Sequence, residues 1–283
     1  MNCHLSIMLL LGLLIGFLSA SNVSNANTVT TFASQNCWEV PTTQQSNTEI
    51  SSSGTITSEV ACGGIIQSSA TSSIDGSMNV FVFNRDGSDS TNNTAKSSWT
   101  GTLTNNSQQQ IYVEYNLLIN GFLSVYPLQY EGHTSQSSYE VYVFLNGVNI
   151  WDSSASLNSI SSSVMNLTTN ITDISITKPV VTGEDLKGVF NLYDSSTDST
   201  TYEINNYLKT LQLGTLSPGE TFILETYIST TALACEQMAN GTYGSISLSG
   251  KSNVTPVPLP SSALLLSSAL VCLSAVGRRK EDN

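Results

Sequence analysis

Histidine, cysteine and charge are all scarce in this chain, and each shortage removes a class of function. Of the two histidines only His133 lies outside the first 26 residues. A Ser-His-Asp or Cys-His site therefore has a single candidate base, and a zinc centre built on several His or Cys ligands lacks them. His133 sits in the turn-like Glu131-Gly132-His133 and reads as a surface loop residue. Charged residues make up 11% of the chain, 21 acidic against 9 basic, for a net charge of −12. With the two terminal segments described below set aside, 19 acidic and six basic residues remain, a net charge of −13. Such a surface repels DNA, RNA and anionic headgroups, so no nucleic-acid partner is expected. No long helical period appears between the terminal segments, and no repeat recurs at a spacing of 20 to 50 residues.

What solvates the chain instead is uncharged and polar: Ser, Thr and Asn account for 102 of its 283 residues. Disorder goes with high net charge and few aromatic or β-branched residues, whereas here 11 Tyr, 8 Phe and 3 Trp accompany repeated apolar alternation. A folded chain with Ser-rich loops follows. Ile111 to Ile119 is β-branched and aromatic and reads as a central strand ending at the turn pair Asn120-Gly121. Tyr139 to Leu145, then Asn146-Gly147, then Val148 to Trp151 predicts a hairpin with a type I′ turn. Met78 to Phe83 is a further strand, closed by the turn-rich stretch Asn84 to Asn93. Thr201 to Leu213 leads into Ser217-Pro218-Gly219 and then the strand Thr221 to Ile228, and the two are expected to pair across that turn. Ser245 to Leu248 reads as the last strand before a linker. Many short strands separated by turn residues argue for an all-β, antiparallel β-sandwich of the jelly-roll type.

The two ends carry signals of another kind. Ile7 to Leu18 has the length of a secretory h-region, and Ser24-Asn25-Ala26 offers small residues for cleavage after Ala26, with a cut after Ala20 as the alternative. At the other end, Val257-Pro258-Leu259-Pro260 is held extended by its prolines. An apolar run from about Ala263 to Val276 follows, and its Ala, Leu and Ser allow a helix of roughly 17 residues, close to the lower limit of about 17 to 25 for a bilayer span. The basic cluster Arg278, Arg279 and Lys280 then fixes orientation by the positive-inside rule. Motif, span and basic tail in this order resemble the PEP-CTERM sorting signal recognised by exosortase in Gram-negative bacteria that make exopolysaccharide. The resemblance covers about the last 27 residues, and Leu259 stands where that family's Pro-Glu-Pro motif has Glu. It implies export, transient anchoring in the inner membrane, and removal of the tail on delivery to the cell surface or extracellular matrix. The implied partners are signal peptidase, the secretion machinery, an exosortase-like membrane protease and extracellular polysaccharide. The expected division is 1–26 signal peptide, 27–250 sandwich, 251–256 linker and 257–283 sorting signal.

Candidate sites within the sandwich are few, and no catalytic residue and no cofactor is assigned. Of five cysteines, Cys3 and Cys272 fall in the terminal segments, leaving Cys37, Cys62 and Cys235. A structural disulfide is expected of an exported chain. Cys37 with Cys62 is preferred, because the 24 intervening residues suit a simple edge hairpin, and Cys62 with Cys235 is the alternative. Asp86 and Asp89, between Asn84 and Asn92, offer oxygen ligands for Ca²⁺ without the ordered spacing of an EF-hand, and a solvated acidic turn is the default there. Trp38, Trp99, Trp151, Tyr112, Tyr115, Tyr139 and Tyr142 raise the alternative of a carbohydrate-binding module or adhesin, although aromatics more often fill a core. A glycan hydrolase would need two carboxylates about 5 to 10 Å apart across a cleft.

Overall fold

The computed structural model describes residues 23–35, 43–50, 54–62, 65–84, 91–125, 134–161, 174–176, 180–194, 199–234 and 242–257. Among them there is no helix. The strands in chain order are β1 (Val23–Gln35), β2 (Thr43–Ile50), β3 (Thr55–Cys62), β4 (Ile65–Ser73), β5 (Ser77–Asn84), β6 (Thr91–Asn105), β7 (Ile111–Val125), β8 (Thr134–Leu145), β9 (Val148–Ser161), β10 (Ile174–Ile176), β11 (Val180–Gly183), β12 (Val189–Asp194), β13 (Ser199–Leu216), β14 (Thr221–Ala234) and β15 (Thr242–Pro256). They form two antiparallel sheets. Sheet A has the order β10-β9-β8-β14-β6-β1-β2 with β11 also on β9, and sheet B the order β12-β13-β7-β15-β5-β4-β3. One hydrophobic cluster lies between them, which makes the architecture β-sandwich-like.

Alternation decides which side of each strand enters that core. In β7, Ile111, Val113, Tyr115, Leu117 and Ile119 are buried while Tyr112, Glu114, Asn116 and Leu118 face outwards. The strand has partners on both sides, as its composition predicted. Trp99 lies parallel to Tyr115 with ring centroids 6.2 Å apart, and its indole N–H donates to the Ile74 carbonyl at 3.0 Å. Two glycines make room for these rings: a Cβ at Gly101 would come within 2.2 Å of the Trp99 ring, and one at Gly250 within 1.7 Å of the Tyr115 hydroxyl oxygen. Burial pushes the Tyr115 phenol up to about 12, a rise opposed by the nearby Thr226 hydroxyl.

The β8–β9 hairpin turns at Asn146 and Gly147, both at positive φ (51° and 78°), as a type I′ turn requires. Elsewhere the expectations need correction. Asn120-Gly121 does not end β7, which continues to Val125. Instead, the Asn120 side chain accepts the Asn206 amide at 2.7 Å where β13 bulges, with Asn206 at a φ of 53°. Nor do β13 and β14 pair: Ser217 to Glu220 carries the chain from sheet B to sheet A, so that β13 lies on β7 and β14 between β6 and β8. Residues 251–256, expected as a linker, extend β15 and pair with Ile111 to Asn116 of β7, because the Ser- and Thr-rich stretch meets an edge in need of a partner. At the other end β1 begins at Val23, inside the segment assigned to the signal peptide, and pairs Val23 to Ala26 with Asn105 to Thr102.

Candidate functional site

The outward face of sheet A gathers three aromatic residues that the core does not take. Tyr142 and Phe144 lie two apart on β8 and so share a face, and Tyr227 sits directly opposite Tyr142 on β14. The Tyr142 ring is 6.1 Å from Phe144 and 6.0 Å from Tyr227, tilted by 32° and 40°. All three are half-buried rather than enclosed. Around them the register places Asp152 opposite Tyr142 on β9, Glu225 opposite Phe144, and Glu140 one outward position further along β8. Partial burial first, and then the Glu140 and Asp152 carboxylates, hold the Tyr142 phenol above its ordinary value. The patch therefore offers stacked ring faces, phenol donors and carboxylate acceptors within one negative field. That combination suits a neutral hydroxylated ligand and disfavours an anionic one.

Sheet B has a shallow depression of about 330 Å³ beside the β13 bulge, lined by Asn120, Phe122, Glu203, Asn205, Ser245 and Ser247 among others. Glu203 is the one carboxylate of that lining, whereas paired-carboxylate hydrolysis needs two. A different carboxylate, Glu184, is fully engaged. One of its oxygens accepts from Tyr207 and from Lys209 at 2.8 Å, and the other from the Trp151 indole at 2.7 Å and from Lys209 at 2.6 Å. Partial burial works against its charge, but the Lys209, Tyr207 and Trp151 donors override it and hold the carboxyl at about 2. With its lone pairs used in this way it acts as a clasp between β9 of sheet A and β13 of sheet B, not as a base.

The residues singled out from sequence fare unequally. Val257 closes the last strand, its amide donating to the Gln110 carbonyl at 2.9 Å. Pro258, Leu259, Pro260, Arg278, Arg279 and Lys280 lie outside the described residues, as do Asp86, Asp89, His133, Cys37 and Cys235. Cys62 is the last residue of β3, opposite Ile65. Among the aromatics, Trp99, Trp151, Tyr115 and Tyr139 go into the core, Tyr112 faces outward on sheet B, and Tyr142 reaches the sheet A face. Phe144 and Tyr227 were not singled out, although the alternation of Tyr139 to Leu145 and Thr221 to Ile228 carries the signal for both. Among the described residues no three His, Cys, Asp or Glu side chains come together as a metal site.

No protein-family model matches the chain. No curated protein matches it either. Structures of infectious bursal disease virus, Gx and Gt strains, align at 9% and 8% identity with a TM-score of 0.10 each, over 86% and 85% of this chain and 68% and 62% of theirs. A likeness at that level bears on neither fold nor function.

Proposed function

We propose that the chain is an exported cell-surface or extracellular-matrix protein, without catalytic activity of its own, whose closing segment is cut by an exosortase-like membrane protease. The observation that carries this reading is the order of parts after β15: Val257-Pro258-Leu259-Pro260 starts where the strand stops, and the apolar run and Arg278-Arg279-Lys280 follow. Signal peptidase acts at the other end. Here the reading takes the cut after Ala20, since a cut after Ala26 would remove four residues that pair with β6. In this account the sandwich, whose chain crosses repeatedly between sheets in a jelly-roll-like manner, is the cargo, and residues 257–283 are a sorting helix with its motif and tail. Intact mass of the mature protein from its native host tests both cuts. The expected product begins at Ser21 and lacks Arg278 to Lys280. A membrane-embedded product that keeps Lys280 would sink the sorting reading.

A second reading, a carbohydrate-binding module or adhesin, is favoured by the Tyr142, Phe144 and Tyr227 patch. On this reading the released sandwich holds extracellular polysaccharide against the outward face of sheet A. Glycan-array binding should fall about tenfold in Tyr142→Ala, equivalent to about 1.4 kcal/mol. The fold should survive, because Tyr142 lies on the outward face. Equal glycan binding by wild type and variant would remove the patch from the account.

A further inference from the structure

Both described chain ends leave the sandwich at the same pole, and Asn105 is the hub of that pole. Its backbone pairs with Val23 at the start of β1. Its N–H donates to the Glu220 carbonyl at 3.0 Å, and its C=O accepts from Gly219 at 2.8 Å. The buried side chain donates to the carbonyls of Gln109 at 2.8 Å and Leu216 at 2.9 Å, and accepts from Ser107. Pro256, at the end of β15, pairs with Ile111 on the far side of the same loop, and Val257 is tied to Gln110. One polar side chain thus fixes the exits of the N-terminal and C-terminal segments next to each other.

The reach of those exits is short. Six Cα steps separate Val257 from Ala263, where the apolar run begins, so a fully extended chain covers at most about 22 Å. Until the cut after Ala20, five steps separate Leu18 from Val23, at most about 18 Å; after it the C-terminal segment is the tether. The headgroup layer on each side of a bilayer takes up roughly 5 to 7 Å of that reach. A segment seated in the hydrocarbon therefore keeps this pole within roughly 15 Å of the membrane surface.

The pole is also chemically suited to that position. The loop 106–110, the turn 217–220 and the hairpin turn Asn146-Gly147 contain a single charged residue, Glu220, whose carboxylate accepts the Ser217 amide at 2.6 Å. Large apolar side chains are exposed beside them: Val148 (64%) and Ile150 (38%) just past the hairpin turn, and Ile223 (43%), whose backbone bonds Asn146 in both directions. Uncharged polar loops with exposed Val and Ile beside them incur little charge desolvation at a zwitterionic surface and place apolar groups at its boundary, while Asp152 and Glu225, the next outward positions beyond Ile150 and Ile223, lie further from the loops.

We propose that the Asn105 pole is a lipid-facing surface, which rests against the bilayer through Val148, Ile150 and Ile223 until the sorting segment is cut. This inference rests on the reading of residues 257–283 as a membrane-seated sorting signal. The test uses the full chain in vesicles of phosphatidylethanolamine and phosphatidylcholine, with a diazirine-bearing amino acid in place of Val148, Ile223 or, as a control, Lys96. Lys96 is exposed and lies nine residues from Asn105 along β6, about 30 Å away. Lipid adducts are expected from positions 148 and 223 and not from 96. A chain that floats with the vesicles but gives no lipid adduct at 148 and 223, equal adducts at all three positions, or protein-to-protein adducts in place of lipid ones overturns the proposal and leaves the sorting reading standing. A chain that fails to float overturns both.

Discussion

The two halves of the sandwich are held together by different means. Where β7 and β13 face β8, β9 and β14, the space is filled by Ile111, Leu117, Ile119, Leu123, Val141, Val143, Leu157, Leu224 and Ile228. Where β3 and β4 face β1 and β6, many of the inward residues are small, Ala33, Ser58, Ser68, Ala70, Ser72, Ala95 and Ser97, beside Val29, Val60 and Trp99. There the hydroxyls of one sheet bond the backbone of the other. Ser72 donates to the Ser98 carbonyl at 3.2 Å while Ser97 donates to the Thr71 carbonyl at 3.1 Å, a reciprocal pair between β4 and β6. Ser68 reaches the Ser34 carbonyl at 2.8 Å, and Ser58 meets the Thr31 hydroxyl at 2.7 Å. Bonds of that length bring the facing backbones well inside the separation of about 10 Å usual for packed sheets. The apolar half supplies non-directional burial, and the hydroxyl half supplies directional bonds that define how one sheet is placed on the other.

That contrast can be broken from the strong side first. Leu117→Ala leaves a cavity under β7 and should cost roughly 2 to 5 kcal/mol, read as a lowered urea midpoint. A loss under about 1 kcal/mol would mean that this half collapses around the gap and is not the tightly packed one. Ser97→Ala in the other half removes one donor from a carbonyl that the sheet ladder already serves, so about 1 kcal/mol is expected. If Ser97→Ala costs as much as Leu117→Ala, the division between the halves is wrong.

Between these sits Gly250→Val. Its side chain would meet Tyr115, and the overpacking should cost about 1 to 3 kcal/mol while moving the ring off Trp99, which near-ultraviolet circular dichroism reports. The smallest effect concerns the Glu184 clasp. Its carboxyl is held at about 2, below an ordinary value of 4.5, so the stability it contributes is present above pH 4.5 and is lost as pH falls towards 2. Partial exposure of the pair keeps the amount below about 1 kcal/mol. Glu184→Gln should flatten the acid limb of stability between those two pH values, and an unchanged limb would remove the clasp from the account.

The same contrast explains what could be read from the sequence. Ile111 to Ile119, Tyr139 to Trp151, Thr221 to Ile228 and Met78 to Phe83 announce themselves because their inward positions are large and apolar. Strands β1 and β6 do not: in Thr91 to Asn105 the inward positions include Asn93, Ala95, Ser97 and Gly101, which reads as loop composition. Pairing across the Ser217 to Glu220 turn was expected because adjacent strands usually pair. The turn instead changes sheets, a choice fixed by the bonds of Asn105 to Gly219 and Glu220, more than a hundred residues away in sequence. For the candidate site, alternation implied only that some of Tyr112, Tyr115, Tyr139 and Tyr142 face outward, and the structure shows Tyr142 to be one of them. It could not bring Tyr227 beside it, since that pairing joins residues 85 apart.

The place of the last two strands has a kinetic consequence. β14 lies between β8 and β6, and β15 between β7 and β5, so each sheet remains in two pieces until the C-terminal quarter of the chain arrives. Contacts of such sequence separation are slow to form, because loop-closure entropy is spent before they are rewarded, and folding belongs in the millisecond-to-second range of sandwiches with non-local pairing. Amides of β14 and β15 should therefore gain exchange protection together with those of β6 and β7, and not after them. A chain emerging N-terminus first stays open through more than two hundred residues and locks only once β15, which ends at Pro256, has emerged, so under the proposed sorting reading completion of the fold and presentation of Val257 to Pro260 would coincide in time.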